Sequence, residues 1–194
     1  MNESYGNDRS YNKIFNVGLN RAGTASLSEA LRILGFRAVH FKIDGRRVYD
    51  IWRHNAVNGR PLLSGLADRF DAFSDFAAYG IFEILDRQYP HSKFIVTLRE
   101  LKSWLASRDR KVNKNRADPN YSYGFYEINH DRWISERQQF LLRINAYFQS
   151  RPGDLLTIDI PAGEGWDELC EFLDLPVPDA EFPFRNRLAS TASD

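Results

Sequence analysis

Residues Ile14 to Leu27 constrain this chain more than any other stretch. Ile14-Phe15-Asn16-Val17 reads as a short buried strand, Gly18 to Gly23 as a glycine-bracketed turn, and Thr24-Ala25-Ser26-Leu27 as a helix opened by hydroxyl residues. A strand feeding a helix through a tight turn leaves the first helical amides without intrahelical acceptors, and an anion can sit where they converge. Gly18 and Gly23 are expected to let the backbone turn there. The spacing, glycine then four residues then glycine, is that of the common phosphate-binding loop, but Thr24 stands where that motif carries lysine. The basic group lies inside the turn instead, as Arg21. The competing reading is a plain strand–helix turn with Arg21 in solvent.

Charge and cysteine content narrow the setting. The 194 residues carry 26 basic and 26 acidic side chains, so no global field draws the chain toward nucleic acid or a membrane surface. An anion site must therefore come from local clustering. The single cysteine, Cys170, excludes an internal disulfide and a multi-cysteine metal site, and the four histidines lack the i, i+4 spacing of a helical zinc site. No metal is expected. With no apolar run of membrane-spanning length and a polar N-terminus, a cytoplasmic location is the expectation.

Strand and helix signals alternate from Lys13 onward. Leu27, Ala30, Leu31 and Leu34 recur at helical spacing up to Gly35, and 37–41 reads as a second strand. Asp44 is expected to cap a helix through Val48, Ile51, Trp52 and Ala56. Residues 70–75 form a third strand, a helix carries Ile81, Phe82, Ile84 and Leu85, and 93–98 is a fourth strand, apolar enough for burial on both faces. A short helix over 100–108 follows, then a basic, aromatic stretch over 109–123 that reads as a long exposed loop, either a lid or a solvated surface segment. A long amphipathic helix from Ile128 to Phe148, a fifth strand over 155–160 and a helix around Trp166 to Leu173 complete the pattern. Such alternation gives a parallel sheet covered on both faces, with ligands bound beyond the carboxyl ends of its strands. One domain over 13–187 is expected, between flexible tails at 1–12 and 188–194.

Three stretches together resemble the sulfotransferases that use 3′-phosphoadenosine 5′-phosphosulfate (PAPS). Arg21-Ala22-Gly23-Thr24-Ala25 is similar to the family's 5′-phosphosulfate loop. Arg99, ending a strand, and Ser107, eight positions later, are similar to its 3′-phosphate pair. The C-terminal Gly165-Trp166, Leu169, Phe172-Leu173 and Phe182-Pro183-Phe184-Arg185-Asn186 form the third likeness. The resemblance implies a three-layer α/β/α fold with a central, mainly parallel five-stranded sheet of the P-loop NTPase-like kind. It also implies PAPS as donor and a small-molecule acceptor, without nucleic acid or membrane as partner. Departures are Ala25 for the family's second threonine, Ser26 where many members place an adenine-stacking aromatic, and no Lys-x-His after the third strand.

On this resemblance Asn20, Arg21, Ala22, Gly23, Thr24, Ala25 and Ser26 line the 5′-phosphosulfate, Arg99 and Ser107 hold the 3′-phosphate, and Arg185 and Arg187 close over it from the tail. Sulfuryl transfer develops less negative charge than phosphoryl transfer, so fixed donors such as Arg21 can serve without magnesium. For the base, Asp75 after the third strand and His40 at the end of the second are the candidates, with Asp44 and His54 weaker. Asp75 as a helix cap and His40 as a packing residue are the alternatives. A kinase-like nucleotide enzyme and a non-catalytic bisphosphate-binding module remain rival functions.

Overall fold

The computed structural model describes residues 10–184. In chain order its helices and strands are β1 (Ile14–Asn16), α1 (Thr24–Ile33), β2 (Ala38–His40), β3 (Lys42–Ile43), β4 (Arg46–Arg47), α2 (Val48–Val57), β5 (Ala72–Ser74), α3 (Phe82–Gln88), β6 (Lys93–Thr97), α4 (Leu101–Arg116), α5 (His130–Phe148), β7 (Leu155–Ile158) and α6 (Trp166–Leu173). The main sheet has five parallel strands in the order β2-β5-β1-β6-β7. β1 is central, paired with β5 on one side and β6 on the other, and all its residues are buried.

Side chains alternate across the pleat, so successive residues of one strand serve different cores. Ile14 and Ile95 face a cluster with Leu27 and Leu31 of α1 and Leu169 and Leu173 of α6. Phe15, Phe94 and Val96 face the other, with Phe82 of α3, Trp104 of α4 and Ile144 and Phe148 of α5. Phe15 lies 5.4–6.5 Å, ring to ring, from Phe73, Phe76, Tyr89 and Phe94. Each such fully buried side chain contributes about 1.5–3 kcal/mol of transfer free energy. Helices on both faces of a parallel sheet make the three layers expected from the sequence.

Several boundaries differ from the sequence reading. Asp44 does not cap α2. It forms, with Gly45, a two-residue turn in which both residues have positive φ (50° and 76°), closing the β3–β4 hairpin. Asp-Gly is the favoured pair for such a turn, because both positions need the left-handed region. The second strand stops at His40 because Phe41 turns left-handed at φ 63°, and the third stops at Ser74 because Asp75 does so at φ 56°. The expected loop from Asp109 onward is helical as far as Arg116. No glycine or proline interrupts 101–116, and Glu100 caps the helix by accepting from the amides of Lys102 and Ser103 at 2.7 Å each. The irregular segment is therefore 117–129, a strap between α4 and α5.

The described chain begins with contacts inside the expected N-terminal tail. The Asn12 amide donates to the His91 carbonyl at 2.8 Å, and Tyr11 stacks on Phe36. At the other end Phe182 packs edge-on against Trp166 and fills the space where a side chain at Gly165 would stand. Among the described residues no helix is long and apolar enough to cross a membrane.

Candidate active site

The turn after β1 is built by three separate devices. Gly18 is not there for turning. A Cβ at this position would lie 2.3 Å from Thr97 Oγ1 and 2.7 Å from the Thr97 amide nitrogen, so the glycine lets β1 and β6 close together. The Gly18 amide donates to Asn16 Oδ1 at 3.0 Å, which holds the chain as it leaves the sheet. The turning is done by Arg21 at φ 69° and Gly23 at φ 98°. Arg21 is thus a non-glycine residue in the left-handed region, at a cost of about 1 kcal/mol or more.

Helix α1 begins on Gly23 with no side-chain cap and no acidic residue in its first turn. Its first amides and the positive end of its dipole stay available to an anion. Ala22 packs in the core, while Gly23 and the first turn, Thr24, Ala25 and Ser26, make the start of the helix.

Cations surround this helix end. Arg21 Nε donates to Ser107 Oγ at 3.2 Å, joining the turn to α4. Arg99, two residues past β6, donates through Nε to Ser103 Oγ at 3.0 Å. The sequence pairs Arg99 with Ser107, whereas in the structure Ser107 receives Arg21 and Arg99 is held by the serine one turn earlier. Burial lowers the pKa of Arg21, and the neighbouring charge of Arg99 lowers it further, with Arg110 adding to this and Asp75 opposing it. Lys111, one turn beyond Ser107 on α4, is also lowered, by burial first and then by Arg21. Among the described residues no carboxylate lies within ion-pair distance of Arg21, Arg99, Arg110 or Lys111. Four neighbouring cations without a described carboxylate in ion-pair contact, beside an uncapped helix start, suit a ligand with more than one negative charge.

His40 and Asp75 also lie beside the start of α1. His40 Nε2 is 3.3 Å from Thr24 Oγ1 and 3.7 Å from Asp75 Oδ2. Parallel pairing sets His40 level with Ser74, so both residues sit at carboxyl ends of adjacent strands. Burial raises the Asp75 pKa, which the charges of His40, Arg21 and Lys111 partly offset. Burial lowers the His40 pKa against the attraction of Asp75. The following 3₁₀ turn starts from Ala77 with no side-chain cap, so Asp75 is not a helix cap. Asp44 pairs with Arg69 at 3.0 Å on the surface, and His54 lies exposed on α2; neither joins this cluster. Arg185 and Arg187 lie outside the described residues.

Sequence reasoning gave Arg108, the last residue of its short helix, no place in the site. It is 7% exposed, its guanidinium 4.3–4.8 Å from the ring centroids of Trp104, Phe125 and Trp133. It donates to Asn20 Oδ1 at 2.8 Å while Trp104 Nε1 donates to the Asn20 carbonyl at 3.0 Å. Asn20 therefore anchors the turn rather than facing a ligand with its amide oxygen. The available signal was the unbroken helical pattern from Trp104 through Val112, which puts Trp104 and Arg108 on one face.

The fold and site define an α/β domain with a parallel sheet and an uncapped, cation-flanked helix start beyond the carboxyl end of its central strand. The chain belongs to the sulfotransferase domain family, whose model matches residues 13–154 and 129–191 in two overlapping stretches. It is 26% identical over 208 residues to Ava biosynthesis cluster protein M of Aspergillus versicolor, covering 88% of this chain and 79% of that protein. Among solved structures, the sulfotransferase domain from the curacin biosynthetic pathway shares the fold, with a TM-score of 0.52 and 17% identity over 89% of this chain and 77% of that one. The family and fold support an enzyme with sulfotransferase activity.

Proposed function

We propose that this sulfotransferase takes its sulfuryl group from PAPS and delivers it to a hydroxyl or amine of a small-molecule acceptor by in-line displacement. The Arg21–Ser107 hydrogen bond carries this reading most directly, because it makes one continuous anion surface of the turn after β1 and the helix after β6. A donor with a phosphosulfate at one end and a phosphate monoester at the other needs two such centres within one nucleotide's reach.

The residues divide the work. Arg21, the first amides of α1 and the Thr24 hydroxyl hold the 5′-phosphosulfate, and Arg99, helped by Arg110, holds the 3′-phosphate. The donor supplies the sulfuryl group and a phosphate as leaving group. The acceptor's nucleophile bonds to sulfur as the bond from sulfur to the bridging oxygen breaks, leaving the electron pair on a phosphate that Arg21 and Lys111 neutralise. Asp75, with His40 beside it, takes the acceptor's proton. These protein cations supply the charge neutralisation that magnesium and the loop lysine give in phosphoryl transfer.

Two measurements test the reading. Calorimetry is expected to show adenosine 3′,5′-bisphosphate binding without magnesium and more tightly than magnesium–ATP; the reverse order would favour a kinase-like enzyme. Labelled PAPS offered with phenols, alcohols, sugars and amines is expected to give transfer to at least one acceptor. Binding without any transfer would leave a non-catalytic module.

A further inference from the structure

Among the described residues Arg108 is a buried cation with no carboxylate within ion-pair distance, and its Nε has no hydrogen-bond acceptor. Desolvation brings its pKa down to about 10. A charge held in such a place is costly unless something compensates it. Compensation comes from two directions. Inward, it donates to Asn20, the residue before strained Arg21. Outward, it faces Phe125 of the strap at 4.8 Å, and that ring in turn stacks on Trp133.

The strap continues this connection to the other side of the site. Asn115 donates to the Phe125 carbonyl at 2.9 Å and Arg116 to the Tyr126 carbonyl at 2.7 Å, tying the strap to the end of α4. Tyr123 lies edge-on to Phe41 at 5.9 Å, beneath the Arg47 guanidinium at 4.4 Å. Phe41 follows His40 directly. The chain of contacts therefore runs from Asn20 through Arg108 and Phe125 to Tyr123 and the hairpin beside His40.

We propose that Arg108 is a positioning residue that couples the anion-binding turn to the strap 117–129, so that an anionic nucleotide at Arg21 orders the acceptor-side wall. This rests on the donor reading above. A nucleotide phosphate at the turn fixes Arg21 and Asn20, and Asn20 fixes the plane of the Arg108 fork. That plane is one face of the slot that receives Phe125. Lysine cannot replace it, since a point charge reaches Asn20 but presents no flat surface to the ring. Coupling of this kind is reciprocal: an acceptor that holds the strap closed must tighten nucleotide binding by the same factor.

Amide hydrogen exchange of 117–129, with and without adenosine 3′,5′-bisphosphate, tests the proposal. In the wild type the bisphosphate is expected to slow exchange of the strap about tenfold. In Arg108→Gln and Arg108→Lys the nucleotide still binds, but the strap's response falls to under threefold and the acceptor KM rises about tenfold. Phe125→Leu, which leaves Arg108 and Asn20 in place, gives the same loss of response and decides the matter if the Arg108 variants do not fold. A strap response in Phe125→Leu equal to that of the wild type overturns the coupling. Wild-type binding without strap protection removes the coupling alone, whereas no wild-type binding removes the donor reading and the coupling with it.

Discussion

Arg21 and Ser107, 86 positions apart in the chain, are joined by a 3.2 Å hydrogen bond from the guanidinium Nε to the serine Oγ. The reason lies in the sheet. β1 and β6 are parallel neighbours, with Asn16 level with Ile95, so the segments leaving their carboxyl ends emerge side by side. Two cation-bearing elements that look independent along the chain thereby become one surface.

The backbone at Arg21 separates its structural cost from its function. Arg21→Ala and Arg21→Gly remove the same side chain, and both are expected to weaken bisphosphate binding at least thirtyfold, the order expected for a charge-assisted contact worth about 2 kcal/mol. With φ at 69°, the glycine variant should be more stable than the alanine variant by about 1 kcal/mol. Calorimetry and urea denaturation check the two halves. Equal stabilities would mean that the turn relaxes.

Gly18→Ala is expected to destabilise the protein by about 3 kcal/mol, because overpacking here meets backbone as well as side chain. Adding Thr97→Ser should not rescue it, since the new Cβ would still face the Thr97 amide nitrogen at 2.7 Å. Denaturant melts of the single and double variants measure this.

Arg99→Ala should weaken bisphosphate binding at least tenfold with the fold intact, because among the described residues the guanidinium's hydrogen-bond partner is only the side chain of Ser103. Lys111→Met should cost about fivefold in the same assay, a smaller loss for a single point charge in a half-open position. Unchanged calorimetric affinity in either variant would remove that residue from the anion surface.

The His40–Asp75 pair sets a pH dependence. Burial raises the Asp75 pKa on folding, so its contribution to stability is fully present below the ordinary carboxylate value of about 4 and is lost as pH rises through the folded-state value. His40 runs the other way. Its pKa is lowered, so its contribution is present above about 6.5 and is lost as pH falls through the folded-state value. Asp75→Asn is therefore expected to stabilise the protein at pH 7, the gain shrinking toward pH 4, while turnover falls by 100-fold or more. Melts across that range, with kcat at each pH, check both signs.

Local pattern was enough for the elements whose burial is two-sided. The apolar run Lys93–Thr97 is a strand whatever surrounds it, and α5 carries its own amphipathic stripe. Charge misled the reading of α4: Lys111 and Lys114 suggested a solvated loop after 108, yet a helix without glycine or proline continues through them, keeping Arg108 buried and leaving Lys114 exposed. At Asp44 the capping preference of aspartate competed with its preference for a hairpin turn beside glycine, and the turn prevailed.

By itself the sequence determined the strand–turn–helix around Gly23, the alternation that makes a covered parallel sheet, and the cationic residue types at Arg21 and Arg99. These depend on near neighbours in the chain, and hydrogen-bonding geometry and hydrophobic periodicity express them locally. Only the tertiary structure decided that Ser107 answers Arg21 rather than Arg99, that Gly18 serves contact between strands, and that Arg108 lies among three aromatic rings behind the turn. Those choices depend on strand order, because which loops share an edge of the sheet follows from β1 lying between β5 and β6.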